Sequence, residues 1–100
     1  MKLSENFTLE ELTYSKTAKD KKISNIPKVE HIKNLQLLCD HILQPVRDTF
    51  QTSVKVSSGY RSPELCLAVG STIKSQHTEG KAVDFEIDGI HFRKIQLPSN

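Results

Sequence analysis

The sequence predicts an α+β domain in which helices from the N-terminal half pack on a small antiparallel sheet. Three observations carry that expectation. The stretch from Lys28 to Phe50 repeats apolar residues at three- and four-residue steps, the period of a helix with one buried face. Ser53 to Ser58 alternates apolar and polar residues around Val54 and Val56, as a half-buried strand does. Two further alternating runs, Ala82 to Ile87 and Ile90 to Ile95, are separated only by Asp88-Gly89, a two-residue hairpin signal. At 100 residues the chain is long enough for one modest core and too short for two.

The elements follow in order. Thr8, with Glu11 three positions later and Phe7 and Leu12 flanking, forms a capping box with a hydrophobic staple and predicts a short helix near Thr8. Ser15 to Lys22 is polar and basic and reads as a solvated surface segment. Asn25-Ile26-Pro27 marks a turn or helix entry. Val29, Ile32, Leu35, Leu38, Cys39, Ile42, Leu43 and Val46 then define the core face of the long helix. His31 and His41 fall mostly off that face and read as solvent-facing. Pro45 lacks an N–H and clashes with the preceding turn, which predicts a kink or break just before it.

Gly59 ends the first strand, and Ser62 with Pro63 supplies an N-cap and first helical residue for a short helix over Glu64 to Val69. In the strand Ala82 to Ile87, Asp84 and Glu86 point one way and Val83, Phe85 and Ile87 the other. The hairpin register sets Ile87 against Ile90, Glu86 against His91 and Phe85 against Phe92, so His91 shares a face with Asp84. A short helix after Gly89 remains open at this point.

Bulk properties narrow the function. Hydrophobic residues at 36%, charged residues at 26% and a formal charge of +2 describe a globular protein with no charge-based argument for nucleic acid or membrane. Cys39 and Cys66, with no CxxC between them, read as buried small hydrophobes in a reduced or redox-indifferent protein. The first residues lead into no apolar signal-peptide core, and no run of eighteen apolar residues occurs, so neither a signal peptide nor a membrane span is expected. Oligomeric state leaves no mark in the sequence.

The stretch Ser75-Gln76-His77-Thr78-Glu79-Gly80-Lys81-Ala82-Val83-Asp84 holds the chemistry. A histidine nitrogen and a carboxylate oxygen are two of the usual zinc ligand types, and the glycine between them lets the chain turn so that both address one ion. The spacing alone is a weak signal, because a chain with four histidines and twelve acidic residues contains such pairs by chance.

Ser57-Ser58-Gly59-Tyr60-Arg61-Ser62-Pro63-Glu64-Leu65, Val69-Gly70-Ser71 and Ser75 to Asp84 together resemble the zinc D-Ala-D-Ala carboxypeptidase family, in particular its small bacterial and phage members that trim or lyse peptidoglycan. Phe7 to Leu12, Ser15 to Ala18, Asn25-Ile26-Pro27 and Leu43 to Arg47 stand in the expected order, so the resemblance covers about residues 4 to 87. It implies the hedgehog/D-Ala-D-Ala peptidase fold, one Zn2+ held by His77 and Asp84 with a third protein ligand, and a peptidoglycan stem peptide as substrate. It implies Arg61 at the mouth of the site, holding a substrate carboxylate or a developing oxyanion. Ser75 would orient the neighbouring ligand or touch substrate, while Gly80 serves the turn and Tyr60 packs. It also implies a protein that stays in the cytoplasm until released to the wall, as a phage lysin does.

The resemblance has departures. The family takes its third ligand, a histidine after a tryptophan, and an acidic general base from a strand downstream of the aspartate. This chain has no tryptophan and ends at Asn100, so residues 1–100 are expected to form one peptidase-like domain without its C-terminal strands. Cys66 replaces a usual asparagine, and a single glycine stands at Gly70. His91 offers itself as a third ligand, diagonal to Asp84 across the hairpin, against the plainer reading of a histidine paired with Glu86 on a solvated face. Glu86 as a substitute base is a weaker reading still. The competing function is a truncated, inactive member that serves as a wall-binding or structural module.

Overall fold

The computed structural model describes residues 1–97. Its elements are β1 (Lys2–Ser4), β2 (Phe7–Thr8), α1 (Leu9–Thr13), α2 (Lys16–Lys21), α3 (Val29–Leu38), a π-helical turn (Cys39–Leu43), α4 (Gln44–Phe50), β3 (Lys55–Ser58), α5 (Pro63–Ala68), a 3-10 turn (Gln76–Glu79), β4 (Ala82–Ile87) and β5 (Ile90–Gln96). This is an α+β arrangement: β3, β4 and β5 form an antiparallel sheet in that order, and β1 pairs with β2 in a small second sheet. Among the described residues no helix is long and apolar enough to cross a membrane.

Sequence-level expectations hold closely for α1 and the hairpin. Thr8 and Glu11 complete the reciprocal capping box, with the Thr8 hydroxyl accepting from the Glu11 N–H. Ile87 pairs with Ile90, Glu86 with His91 and Phe85 with Phe92; Asp88 and Gly89, both at positive φ, form the turn. The segment after Gly89 is a strand, not a helix.

Four points differ. Ser15 to Lys22 is not plain surface coil: the Ser15 hydroxyl caps the N–H of Ala18, Lys22 closes α2 in the left-handed conformation, and Ala18 is buried. Val29 is 70% exposed, because the core face of α3 begins a turn later, at Ile32 and Leu35. His31 is not solvent-facing; its ring stacks on Tyr60 with centroids 5.2 Å apart. Pro45 does not break the helix, since the backbone absorbs it upstream by widening one turn over Cys39–Leu43 and continues as α4, a known accommodation of a missing helical donor.

Leu35, Leu38, Cys39 and Leu43 from the long helix meet Val83 and Phe85 from the sheet in one buried cluster. The side of β4 that carries Asp84 and Glu86 faces away from that cluster. Cys66 is also buried, and neither cysteine forms a disulfide.

Candidate metal centre

His77 rides on the 3-10 turn, and several contacts fix that turn. The Ser75 hydroxyl accepts from the His77 N–H at 3.2 Å, and Asn34 on α3 donates to the Glu79 carbonyl at 2.8 Å. Gly80 ends the turn at φ +70°. A Cβ there would lie 2.7 Å from the His31 carbonyl oxygen, so both conformation and space require glycine. His77 is thereby pressed into the core side of the site, with its side chain 2% exposed.

Asp84 comes from β4, flanked by irregularities in both neighbours. Against β3 the register passes from Val56–Phe85 to Ser58–Asp84, leaving Ser57 as an extra residue. Against β5 it passes from Phe85–Phe92 to Val83–Ile95, so Arg93 and Lys94 together oppose Asp84. Lys94 adopts φ +54° and turns its N–H onto Asp84 Oδ1 at 2.7 Å. Bulges re-aim side chains next to functional sites, and here two of them bracket one carboxylate.

The two side chains meet. His77 Nδ1 lies 2.7 Å from the Gly59 carbonyl oxygen; a carbonyl only accepts, so Nδ1 carries the proton. Nε2 is buried and completes no hydrogen bond among the described residues, and it lies 3.4 Å from Asp84 Oδ1. A charge-assisted N–H···O bond would draw these atoms to about 2.7–2.9 Å. Two ligand atoms at roughly 2.0–2.2 Å from one tetrahedral zinc stand about 3.3–3.5 Å apart. The observed separation is that of two ligands to one ion, and the Nδ1–H bond to a carbonyl is the usual second contact of a metal-binding histidine. The pair therefore fits a zinc ion, as two of its ligands.

Arg61 is tied to the same pair. Its backbone N–H donates to the His77 carbonyl at 3.0 Å, its Nε to Ser58 Oγ at 2.8 Å and its Nη2 to Asp84 Oδ2 at 3.3 Å. Burial pushes the Asp84 pKa up. The His77 ring, the Lys94 N–H and the Arg61 charge outweigh that and hold it below the ordinary carboxylate range. The Lys94 N–H, at 2.7 Å, makes the shortest of these contacts. Asp84 is thus an anion at neutral pH, ready to ligate.

His91 does not join them. Its Nε2 sits 3.9 Å from Glu86 Oε2 and its side chain is 58% exposed. Among the described residues no three His, Cys, Asp or Glu side chains are placed to share one metal ion. His91 does line the open cleft of about 260 Å³ that also meets Arg61, Asp84, Ser58 and Arg93. A second cleft, of about 370 Å³, reaches His77 and is lined by Ser71, Thr72, Ser75, Gln76 and Lys94. Sequence reading reached His77, Asp84, Arg61 and Ser75. It missed the Gly59 carbonyl, the Lys94 N–H and Ser58, of which the first two are backbone groups that leave no side-chain signature.

An α+β domain that aims a buried histidine and a bulge-flanked carboxylate at one point has the makings of a metal-dependent hydrolase site. The chain matches the Peptidase M15 family over residues 5–98, and it belongs to that family. It matches no curated protein and no solved structure.

Proposed function

We propose that the protein is a zinc peptidase that hydrolyses peptidoglycan stem peptides, either as a carboxypeptidase at a terminal D-Ala-D-Ala bond or as an endopeptidase within the stem. The observation that carries the reading is the 3.4 Å approach of the buried His77 Nε2, which completes no hydrogen bond among the described residues, to Asp84 Oδ1 in a chain of a generally zinc-dependent peptidase family. Zinc bound by such ligands polarises an amide carbonyl and activates water near neutral pH.

The chain's own groups do the rest. Gly59 fixes the His77 tautomer, and Lys94 N–H with Arg61 holds Asp84 in its ionised form. Arg61 gives two of its five N–H donors to Ser58 and Asp84, and its guanidinium also lines the cleft, where a donor can take a substrate carbonyl or carboxylate. The two clefts, one meeting His77 and the other Asp84, give a peptide room on both sides of the pair. Ser75 orients the His77 turn and offers its hydroxyl to the substrate from the cleft wall.

Protein purified without added metal is expected to carry stoichiometric zinc and to release peptide fragments from peptidoglycan, with both properties lost in His77→Ala. Metal-free, inactive wild type sinks the reading. A second reading, a wall-binding module without catalysis, is favoured by the absence of a three-residue ligand group among the described residues. It predicts peptidoglycan binding that survives chelator and Arg61→Ala; catalysis rules it out.

A further inference from the structure

We propose that Asn25 is a positioning residue that sets the metal affinity of the His77–Asp84 pair by acting through Arg61. This rests on the metal reading of that pair and extends it to a loop that touches neither ligand.

Asn25 lies between α2 and α3, and its half-buried side-chain amide makes three hydrogen bonds to backbone. Nδ2 donates to the Thr13 carbonyl at 2.8 Å and to the Tyr60 carbonyl at 3.0 Å, and Oδ1 accepts from the Ser62 N–H at 2.7 Å. The last two partners are the carbonyl before Arg61 and the N–H after it. One amide thus grips residue 61 from both sides, as a paired strand would, and ties it to the end of α1 through Thr13. The gripped residue is also the one that reaches both ligands, through its N–H on the His77 carbonyl and its guanidinium on Asp84. The route from Asn25 to the pair runs through hydrogen bonds to the two peptide groups around residue 61 and from there through the Arg61 backbone N–H and guanidinium. Ligand atoms that must stand at fixed distances lose affinity when their supports loosen, by about 10–100-fold for an outer hydrogen-bond partner.

A merely structural Asn25 would satisfy the same three backbone groups and stabilise the fold without tuning metal. Zinc dissociation constants separate the two roles. They are measured by competition with a chromophoric chelator on wild type, Asn25→Ala, Arg61→Met and the double variant, at a temperature where each shows native circular dichroism. Asn25→Ala is expected to weaken zinc about 10-fold or more, and the double variant to lose less than the product of the two single losses, since the guanidinium route is shared while the backbone N–H of residue 61 on the His77 carbonyl survives in Arg61→Met. Wild-type zinc affinity in Asn25→Ala overturns the proposal, as does a double variant whose loss is the product of the single losses. If Asn25→Ala does not fold, Asn25→Ser, whose hydroxyl keeps one partner, carries the same test: weakened zinc supports it and unchanged zinc overturns it. A wild type that binds no zinc overturns the metal reading itself and this inference with it, an outcome distinct from an Asn25 variant that binds zinc normally.

Discussion

Asp84 carries the most strongly directed electrostatics in the site. With Lys94, Arg61 and His77 around it, its native pKa lies below the usual value, which is about 3.9 in an unfolded chain. The unfolded chain therefore takes up the proton first. The stability that Asp84 contributes is complete above the unfolded value and lost as pH falls through the native one. The urea midpoint of metal-free protein is expected to drop between pH 5 and pH 2.5, and to drop less in Asp84→Asn; an equal drop in both contradicts this assignment. The cysteines behave oppositely. Burial, aided by the charges of Asp40 and Glu11, pushes the Cys39 thiol up to about 12. Burial also raises Cys66, against a lowering pull from Arg61. Thiolate is the reactive form, so iodoacetamide at pH 8 is expected to label both only as the protein unfolds. Gly80→Ala forces a left-handed Cβ towards the His31 carbonyl and is expected to cost about 1–3 kcal/mol of unfolding free energy, read by urea titration.

Among the elements, α3 does most to hold the site together, because its buried face meets the sheet while its first turns support the His77 turn through Asn34 and the close approach at Gly80. Leu35 is fully buried there, and Leu35→Ala is expected to cost about 2–5 kcal/mol in denaturant unfolding. Much of this architecture was legible. The period of Val29 to Val46 marked the long helix, the capping box marked α1, and Asp88-Gly89 set the hairpin register that β4 and β5 adopt. What escaped depended on the backbone. The π turn before Pro45 resolves a conflict that the sequence states without showing how the chain settles it. The bulges opposite Asp84 come from tertiary pairing, where one extra residue in each neighbouring strand has no signature in alternation alone. In the loop 23–28, Asn25 read as a turn residue, and only the fold brings its amide against the two peptide groups around Arg61.

For the molecule as a whole, the family assignment extends over residues 5–98, beyond the roughly 4 to 87 that the motifs covered. The expected pairing of His77 with Asp84 was readable from residue types, and the geometry now gives it a distance. His91 was the third ligand the sequence offered, and the fold sets it against Glu86 on an exposed face of β5. The central claim, that His77 and Asp84 together hold zinc, is tested most directly by calorimetric zinc titration of metal-free wild type, His77→Ala, Asp84→Ala and His91→Ala. The predicted result is one saturable zinc per chain in wild type and in His91→Ala, abolished or at least 10-fold weaker in His77→Ala and Asp84→Ala. Undiminished binding in His77→Ala and Asp84→Ala, or no saturable binding in wild type, would contradict it.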